Sequence, residues 1–571
     1  MKRAGAEPSL LGVPPGPFIL NLTFTALITV LFFLPSIGNF GTVLLGIEDM
    51  KLFVFMFGHI EGALRSGVNP LYIDDLFYPY GISLTYTAFS PMSSALYAAF
   101  PAEWGQYGKI TVLQLLSFIL GGVFSFALAY RFCRETFPSI IASIVFNFSV
   151  YHFEKAIHHL NYSMGMSFIP LFFLFWLGLH GKKGPAVFLL AGALFLITLN
   201  ELLLAVMALF IAFIDIMDRY RPGPLFTPRN TVIMSVSVLA SLLCYEMLLL
   251  APIPGSVVLA YTLPSLVFFG PFIFLIIGPE NLVAMEKRHG LIRALVLSSL
   301  PVFAYLAFIF VQPSYDFIAA SVVQNNLLNV KSIEYLAFPS EFQALHGFGI
   351  LPGLVADSES GLYIGIPMLA LAAWSFLGRG ASKEESRFRD LFAFCVLISF
   401  PLFVFAGAIL VTPFFAQTIF PLLGLLRAPM RFIIFALLFL SVFAAIALAR
   451  LTSKMGNGKK ALVLGALALL LVAERMPDFE RFVFSPPMPE FYRSLAAAPE
   501  NASIFLYPNF DYYTLLDETY YQTIHGKALS YGSVSRFPRS GNQLYEYYFG
   551  VYGEFKPARD GLKELVRGIG Y

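Results

Sequence analysis

The chain has 571 residues, 58% of them hydrophobic and 13% charged, with a formal net charge of +2 and a mean hydropathy of +0.74. A soluble domain carries about 25% charged residues, so this composition excludes one large water-facing globule and offers no basic surface for nucleic acid. The three cysteines, Cys133, Cys244 and Cys395, lie too far apart for metal or redox spacing and read as isolated thiols, so no disulfide is expected.

Apolar runs of roughly 18 or more residues predict membrane helices. In chain order, about thirteen spans fall near residues 17–37, 109–130, 136–151, 162–180, 184–199, 201–217, 231–251, 256–278, 290–312, 361–378, 390–411, 430–450 and 460–475. The fifth and sixth are divided only by Asn200–Glu201 and could form one bent unit. The first span follows Lys2 and Arg3, as in a signal peptide. Its apolar run is long and no small-residue cleavage site follows, so it reads as a retained anchor. With the N-terminus cytoplasmic, the loops predicted inside are "RFCRE", "HGKKG", "DRYRPGPLFTPRN", "MEKRHGLIR", "GRGASKEESRFRD" and "ARLTSKMGNGKK". All contain Lys or Arg, and the alternate loops are mostly poorer in them, which sets the orientation.

Three large segments then face outward: a first loop at 38–108, a second at 313–360 and a C-terminal segment at 476–571. The expected fold is an all-α polytopic membrane protein over 1–475, integral to the cell (inner) membrane, followed by that extracytoplasmic segment. In the latter, "ASIFLYP" and "YGSVSRFP" read as short strands around a helix-like "DYYTLLDETYYQTI", a small α/β unit. No repeat or low-complexity tract stands out.

The chemistry crowds the outer face. Glu48 and Asp49 adjoin the predicted outer end of the first span. "MKLFVFMFGHIEGALRSG" has apolar residues at helical spacing and reads as an amphipathic helix in the interface. A second acid pair, Asp74–Asp75, follows between the turn signals Asn69-Pro70 and Pro79-Tyr80-Gly81. Asp49 suits a helix cap as well as a reacting carboxylate. Asp74 and Asp75 suit a solvated turn, an acceptor site or a metal site. His158 and His159, being adjacent, do not share one helical face, which argues against a joint metal site; one of them could bind phosphate. Glu201 sits in an apolar stretch, where a charge faces either a cavity or an exposed hairpin tip. Arg427 and Arg431 flank Ala428-Pro429-Met430 at the outer start of the twelfth span, and i, i+4 spacing puts both on one helical face. They suit a lipid-phosphate clamp or ordinary anionic headgroups. Glu341 and His346 are weaker candidates in the second loop. Walker, zincin and Gly-x-Ser-x-Gly motifs are absent.

The order of these pieces resembles the membrane glycosyltransferases of the GT-C superfamily, above all the bacterial and archaeal enzymes that use lipid-linked sugars. The resemblance runs through the acid at the outer end of the first span, "SGVNPLY", "YPYGISL", "FNFSVYHFEKAIHHLNYSMGMSFIPL", "SIEYLAFPSEFQALHGFG", "LLRAPMRFIIFALLFL" and "IFLYPNFDYY…HGKALSYGSVSRFP". It implies transfer of a sugar from a polyprenyl-phosphate carrier to an acceptor glycan, lipid or protein on the outer side, with an acid of the first outer loop as general base. By position that base is Asp49, with Glu48 as its possible substitute; the family acid often follows a Gly, whereas here Gly46-Ile47 precede the pair. Attack opposite a leaving lipid phosphate would invert the anomeric carbon. The phosphate needs a cation, from Arg427, Arg431 or His159 or from a divalent ion, with Asp74, Asp75 and Glu201 as acceptor or metal residues. A flippase of lipid-linked saccharides is the rival reading. It would place ionisable residues deep along a path, and only Glu246 and Asp215 fit that pattern. A scaffold without catalysis is the third.

Overall fold

The computed structural model describes residues 11–76, 78, 81–84, 89–178, 185–220, 296–297, 299–300, 302, 304, 363–377, 382–399, 402–405, 408–411, 429–484, 489–499, 502–504 and 512–529. The expected spans at 231–251 and 256–278, nearly all of that at 290–312, the second outer loop, Cys244, Glu246, Glu341, His346, Arg427 and "YGSVSRFP" lie outside the described residues.

The described chain is mostly helical. Helix α1 (Pro15–Phe32) starts at a proline, whose fixed φ and missing N–H suit a first helical turn. A short α2 (Leu34–Gly38) and strand β1 (Leu44–Leu45) lead to α3 (Met50–Ser66). Strands β2 (Tyr72–Ile73) and β3 (Ile82–Ser83) pair antiparallel, and α4 (Pro91–Ala99) follows. Then come α5 (Gly105–Cys133), α6 (Thr136–Asn147), α7 (Val150–His158), α8 (Leu160–Trp176), α9 (Pro185–Asn200) and α10 (Leu202–Tyr220). After the undescribed region come α11 (Ile366–Leu377), α12 (Lys383–Ser399), β4 (Leu402–Phe405), β5 (Ala408–Val411), α13 (Ile433–Thr452) and α14 (Asn457–Arg475). The C-terminal segment contributes α15 (Phe479–Phe482), β6 (Val483–Phe484), α16 (Glu490–Ala496), β7 (Ser503–Ile504), α17 (Tyr512–His525) and β8 (Ala528–Leu529).

Among the described residues, three helical stretches are long and apolar enough to cross a membrane: Pro15–Phe32, Ala102–Cys133 and Met430–Thr452. The last is buried on almost every side, as expected of a helix that is apolar all round. Helices α5, α6, α8 and α13 form the centre of the bundle. Phe32, Phe33, Phe118, Phe148 and Phe153 interlock there, with ring centroids as close as 5.1 Å. Gly122 lets α1 and α6 approach α5: Asn21 and Ser143 both donate to its carbonyl, and a Cβ would stand 2.4 Å from Thr25 Cγ2. Small residues permit this kind of close helix crossing in membranes.

Two expectations are corrected. The span expected over 390–411 ends as a helix at Ser399, and 402–405 pairs antiparallel with 408–411. Pro401 removes a backbone donor and blocks the helix, and the aromatic and branched residues after it suit strands. The expected interfacial helix is α3, but its first half is buried on all sides, because α17 of the C-terminal segment packs over it. Lys51 of α3 pairs with Asp517 of α17, and Tyr107 of α5 meets Tyr520 through their hydroxyls.

Asp215, which in the sequence stands as a lone charge on a possible path, is paired. It accepts from Trp176 Nε1 at 3.0 Å and from Arg387 Nε and Nη2 at 2.9 and 2.5 Å. In the C-terminal segment β7 and β8 pair in parallel, with α17 as the intervening helix.

Candidate active site between the first outer loop and α7

A backbone splice places the opening acid pair. β1 pairs antiparallel with β6, Leu44 opposite Phe484, and the Gly46 N–H donates to Phe482 O at 2.9 Å. One residue later, Ile47 N–H donates to Ile157 O at 2.9 Å. Residues 48 and 49 therefore sit beside residues 158 and 159. The approach needs a glycine: a Cβ on residue 46 would stand 2.7 Å from Met50 Cγ. Glu48 adopts φ +39°, a conformation that costs a non-glycine residue about 1–3 kcal/mol.

Asp49 occupies the cap position of α3, yet its side chain makes no capping hydrogen bond. Its Oδ2 lies 3.3 Å from His159 Nδ1, while Glu48 Oε2 lies 3.1 Å from His158 Nε2. The two imidazoles stack, with centroids 4.3 Å apart and planes 7° from parallel. Adjacent residues of one helix could not do this. His158 ends α7, and His159 leaves the helical conformation at φ −127°, ψ 77°, which swings its ring beside its neighbour's. Asp49, His158 and His159 thereby offer ligand atoms within 4.8 Å of one another. Sequence periodicity argues against that pairing because it assumes an unbroken helix. The cluster is reachable: the Asp49 side chain is 21% exposed and that of His159 is 16% exposed.

Helix α7 meets α6 at a 44° bend and buries Glu154 and Lys155 within the protein. His158 Nδ1 sits 3.6 Å from Glu154 Oε1, an ion-pair contact too long for a good hydrogen bond. Burial pulls His158 down, but Glu154 and Glu48 beside it carry its pKa up to about 9. Burial, the neighbouring His158, Lys155 and Arg431 hold His159 well below the ordinary imidazole value. The surroundings thus push the two stacked imidazoles in opposite directions.

Positive charge also gathers near His159. Lys155 Nζ donates to Glu154 Oε1 at 3.0 Å and lies 4.9 Å from the centroid of Tyr151. Arg431 donates to Tyr162 Oη at 2.5 Å, its guanidinium 4.7 Å from that ring's centroid. Of the phosphate-binding candidates, His159 and Arg431 come together through Tyr162. Lys155 is a site residue that the sequence did not single out. Its i, i+4 spacing from Tyr151 and to His159 is the available signal.

Glu201 is the single residue between α9 and α10. Its Oε2 accepts from Asn161 Nδ2 at 2.5 Å and its Oε1 caps the N–H of Leu203 at 3.1 Å. It anchors the start of α8, two residues after His159, rather than standing at an exposed tip. Asp74 and Asp75 are not part of this cluster. They line a separate cavity of ≈570 Å³ between α3, the β2–β3 hairpin and α17.

A family model described as a domain of unknown function, DUF6311, matches residues 64–272. No curated protein matches. Among solved structures, the oligosaccharyltransferase of Archaeoglobus fulgidus tethered with an acceptor peptide is 14% identical, with a TM-score of 0.49, and the match covers 91% of this chain and 64% of that one. The archaeal oligosaccharyltransferase AglB in complex with an inhibitory peptide and a dolichol-phosphate gives 14%, 0.46, 91% and 65%. The arabinofuranosyltransferase AftD from Mycobacteria gives 14%, 0.40, 85% and 28%. The chain thus spans less than two thirds of the length of each.

Proposed function

We propose that the protein transfers a glycosyl group, with inversion, from a polyprenyl-phosphate-linked donor to an acceptor on the extracytoplasmic face. The observation that carries this reading is the Asp49 carboxylate. It makes no capping hydrogen bond to the helix it precedes and faces a partly exposed imidazole, near the buried Lys155 and the part-buried Arg431. An acceptor hydroxyl becomes a useful nucleophile when a carboxylate takes its proton, and Asp49 is placed to do so. The charge that develops on the leaving phosphate is met by Arg431, Lys155 and His159, and by Arg427 of the same run. Glu48 is held to His158 and substitutes as base only if that contact opens. Asn161 and Glu201 steady the turn that carries His159. This reading includes the architecture of about thirteen spans, the cytoplasmic N-terminus and the outward-facing α/β segment at 476–571.

A second role for the same cluster is supported by its donor set. Two imidazoles and a carboxylate suit a divalent cation, Zn²⁺ through its imidazoles or the harder Mn²⁺ through its carboxylate. Glu154 Oε2 and His158 Nδ1 are buried without a hydrogen-bond partner, as atoms beside an ion site can be. Such an ion would supply charge to the leaving phosphate, and loading it would displace the His158 proton.

The reading is tested with purified full-length protein in lipid, a panel of radiolabelled polyprenyl-phosphate sugars and membrane extract as acceptor. Transfer of label is expected from at least one donor. Movement of labelled lipid across the bilayer without transfer would replace this reading with the flippase. For the ion, calorimetric titration with Zn²⁺ and Mn²⁺ should show one site that His159→Ala abolishes; titrations identical in both proteins exclude it.

A further inference from the structure

The cavity between α3, the β2–β3 hairpin and α17 lies in the same loop as Asp49 but at the other end of α3. His59, on its wall, is ten residues beyond Asp49, about 15 Å along the helix axis. Its ≈570 Å³ is in the range of small-ligand pockets. Among the described residues Asp74 and Asp75 line it and no Lys or Arg does, a lining that disfavours a phosphate group.

The lining is built for hydroxyl groups. Gln522 is 7% exposed and its amide hydrogen-bonds the Asp75 carboxylate, which fixes two planar hydrogen-bonding groups side by side. His59 Nε2 is held 3.0 Å from Tyr72 O, which sets the ring's orientation. Burial lowers the His59 pKa, so near neutral pH the ring serves as a hydrogen-bonding group rather than a cation. The Tyr72 ring is seated on Gly81, where a Cβ would stand 2.7–2.9 Å from its atoms, and Gly81 itself has φ +65°. The residue stays 38% exposed, so the ring is a fixed platform at the mouth. An aromatic face for the C–H side of a ring, beside a carboxylate, amides and an imidazole for its hydroxyls, is the chemistry that recognises a sugar. A peptide would call for a free sheet edge or a broad apolar groove. Among the described residues the apolar wall is Phe55, Ala63 and Val68.

We infer that this cavity binds a neutral oligosaccharide and holds the part of the acceptor remote from the reacting hydroxyl. The inference rests on the glycosyl-transfer reading for the word acceptor, not for the binding. A ligand that fills the cavity and also reaches Asp49 is an extended chain, so the acceptor class is a glycan and not a single sugar.

The test uses the full chain in lipid nanodiscs, without donor, on an array of neutral oligosaccharides of graded length and a matched set of peptides. At least one saccharide series should be retained, more strongly as its length increases. Tyr72→Ala and Asp75→Asn should each weaken retention at least about tenfold, the loss of roughly one good contact. Gly81→Ala, which displaces the ring without removing it, should do the same. Thermal unfolding of each variant is run beside the array, so that a misfolded protein is not scored. Retention of no saccharide, or equal retention by all three cavity variants, overturns the inference; retention of peptides alone replaces it with a peptide acceptor. Saccharide binding at the cavity with no transfer from any donor would refute the proposed reaction and leave the binding site standing.

Discussion

Gly46→Ala tests the splice that places the acid pair. The new methyl would stand 2.7 Å from Met50 Cγ and 3.0 Å from Met50 Cβ, where ordinary contacts begin at 3.4 Å. Met50, the first residue of α3, is fully buried and cannot swing aside, so the 44–47 segment has to give by about 0.7 Å. Overpacking of this kind costs about 1–3 kcal/mol. The shift passes directly to Glu48 and Asp49, and a misplacement of about 1 Å at a reacting group costs on the order of 10²-fold in rate. The assay is a double-mutant cycle with Met50→Ala, read by thermal unfolding in detergent and by sugar transfer. Gly46→Ala should destabilise the wild-type background by about 1 kcal/mol or more beyond its effect in Met50→Ala, where the methyl has room. An equal cost in both backgrounds would refute the contact as the cause. Unchanged transfer by the destabilised single variant would refute the coupling of the strand to the site.

Two further predictions concern the described structure away from that splice. Burial, and then Lys527, push the pKa of His525 down to about 4 in the folded segment, against 6.5 for an ordinary imidazole. Between those values the unfolded chain binds a proton that the folded chain does not, so stability rises with pH across the window and is lost as pH falls from about 6.5 to about 4. The ceiling is about 3 kcal/mol. Wild type should therefore lose more stability on acidification than His525→Gln, and parallel pH profiles would contradict this. Arg387→Ala leaves Asp215, 1% exposed, without its guanidinium and should cost about 3–5 kcal/mol. Adding Asp215→Asn should recover part of that loss in a thermal melt, and no recovery would show that the pair is not the source.

Apolar run length makes α1, α5, α8, α9, α10, α13 and α14 legible as helices from the sequence alone. The spacing of Phe53, Phe57, Ile60 and Leu64, with Gly67 behind them, marks α3. Gly67 closes it at φ +68°, with Val68 N–H bonding Ala63 O across the cap. What sequence does not carry is the pairing of segments far apart. Nothing in "TVLLGIEDM" announces that Leu44 will lie opposite Phe484 or that Ile47 will bond Ile157. Two-residue strands have no period, and long-range register is set by packing. The two histidines escape for a related reason: their convergence depends on one non-helical residue, His159, which a periodic reading smooths over. Asp49 is legible as a candidate by position alone. That its side chain forgoes the cap for His159 is a fact of tertiary geometry. The strands at 402–411 show the opposite error, since an apolar run reads as a span even with Pro401 standing in it.

The most direct measurement is single-turnover transfer from a polyprenyl-phosphate sugar by wild type, Asp49→Asn and Glu48→Gln, with donor retention measured in parallel. The account predicts that Asp49→Asn holds donor like wild type and loses transfer by about 10²-fold or more, the scale of a removed general base, while Glu48→Gln keeps most of it. Transfer at the wild-type rate by Asp49→Asn would contradict the account at its centre.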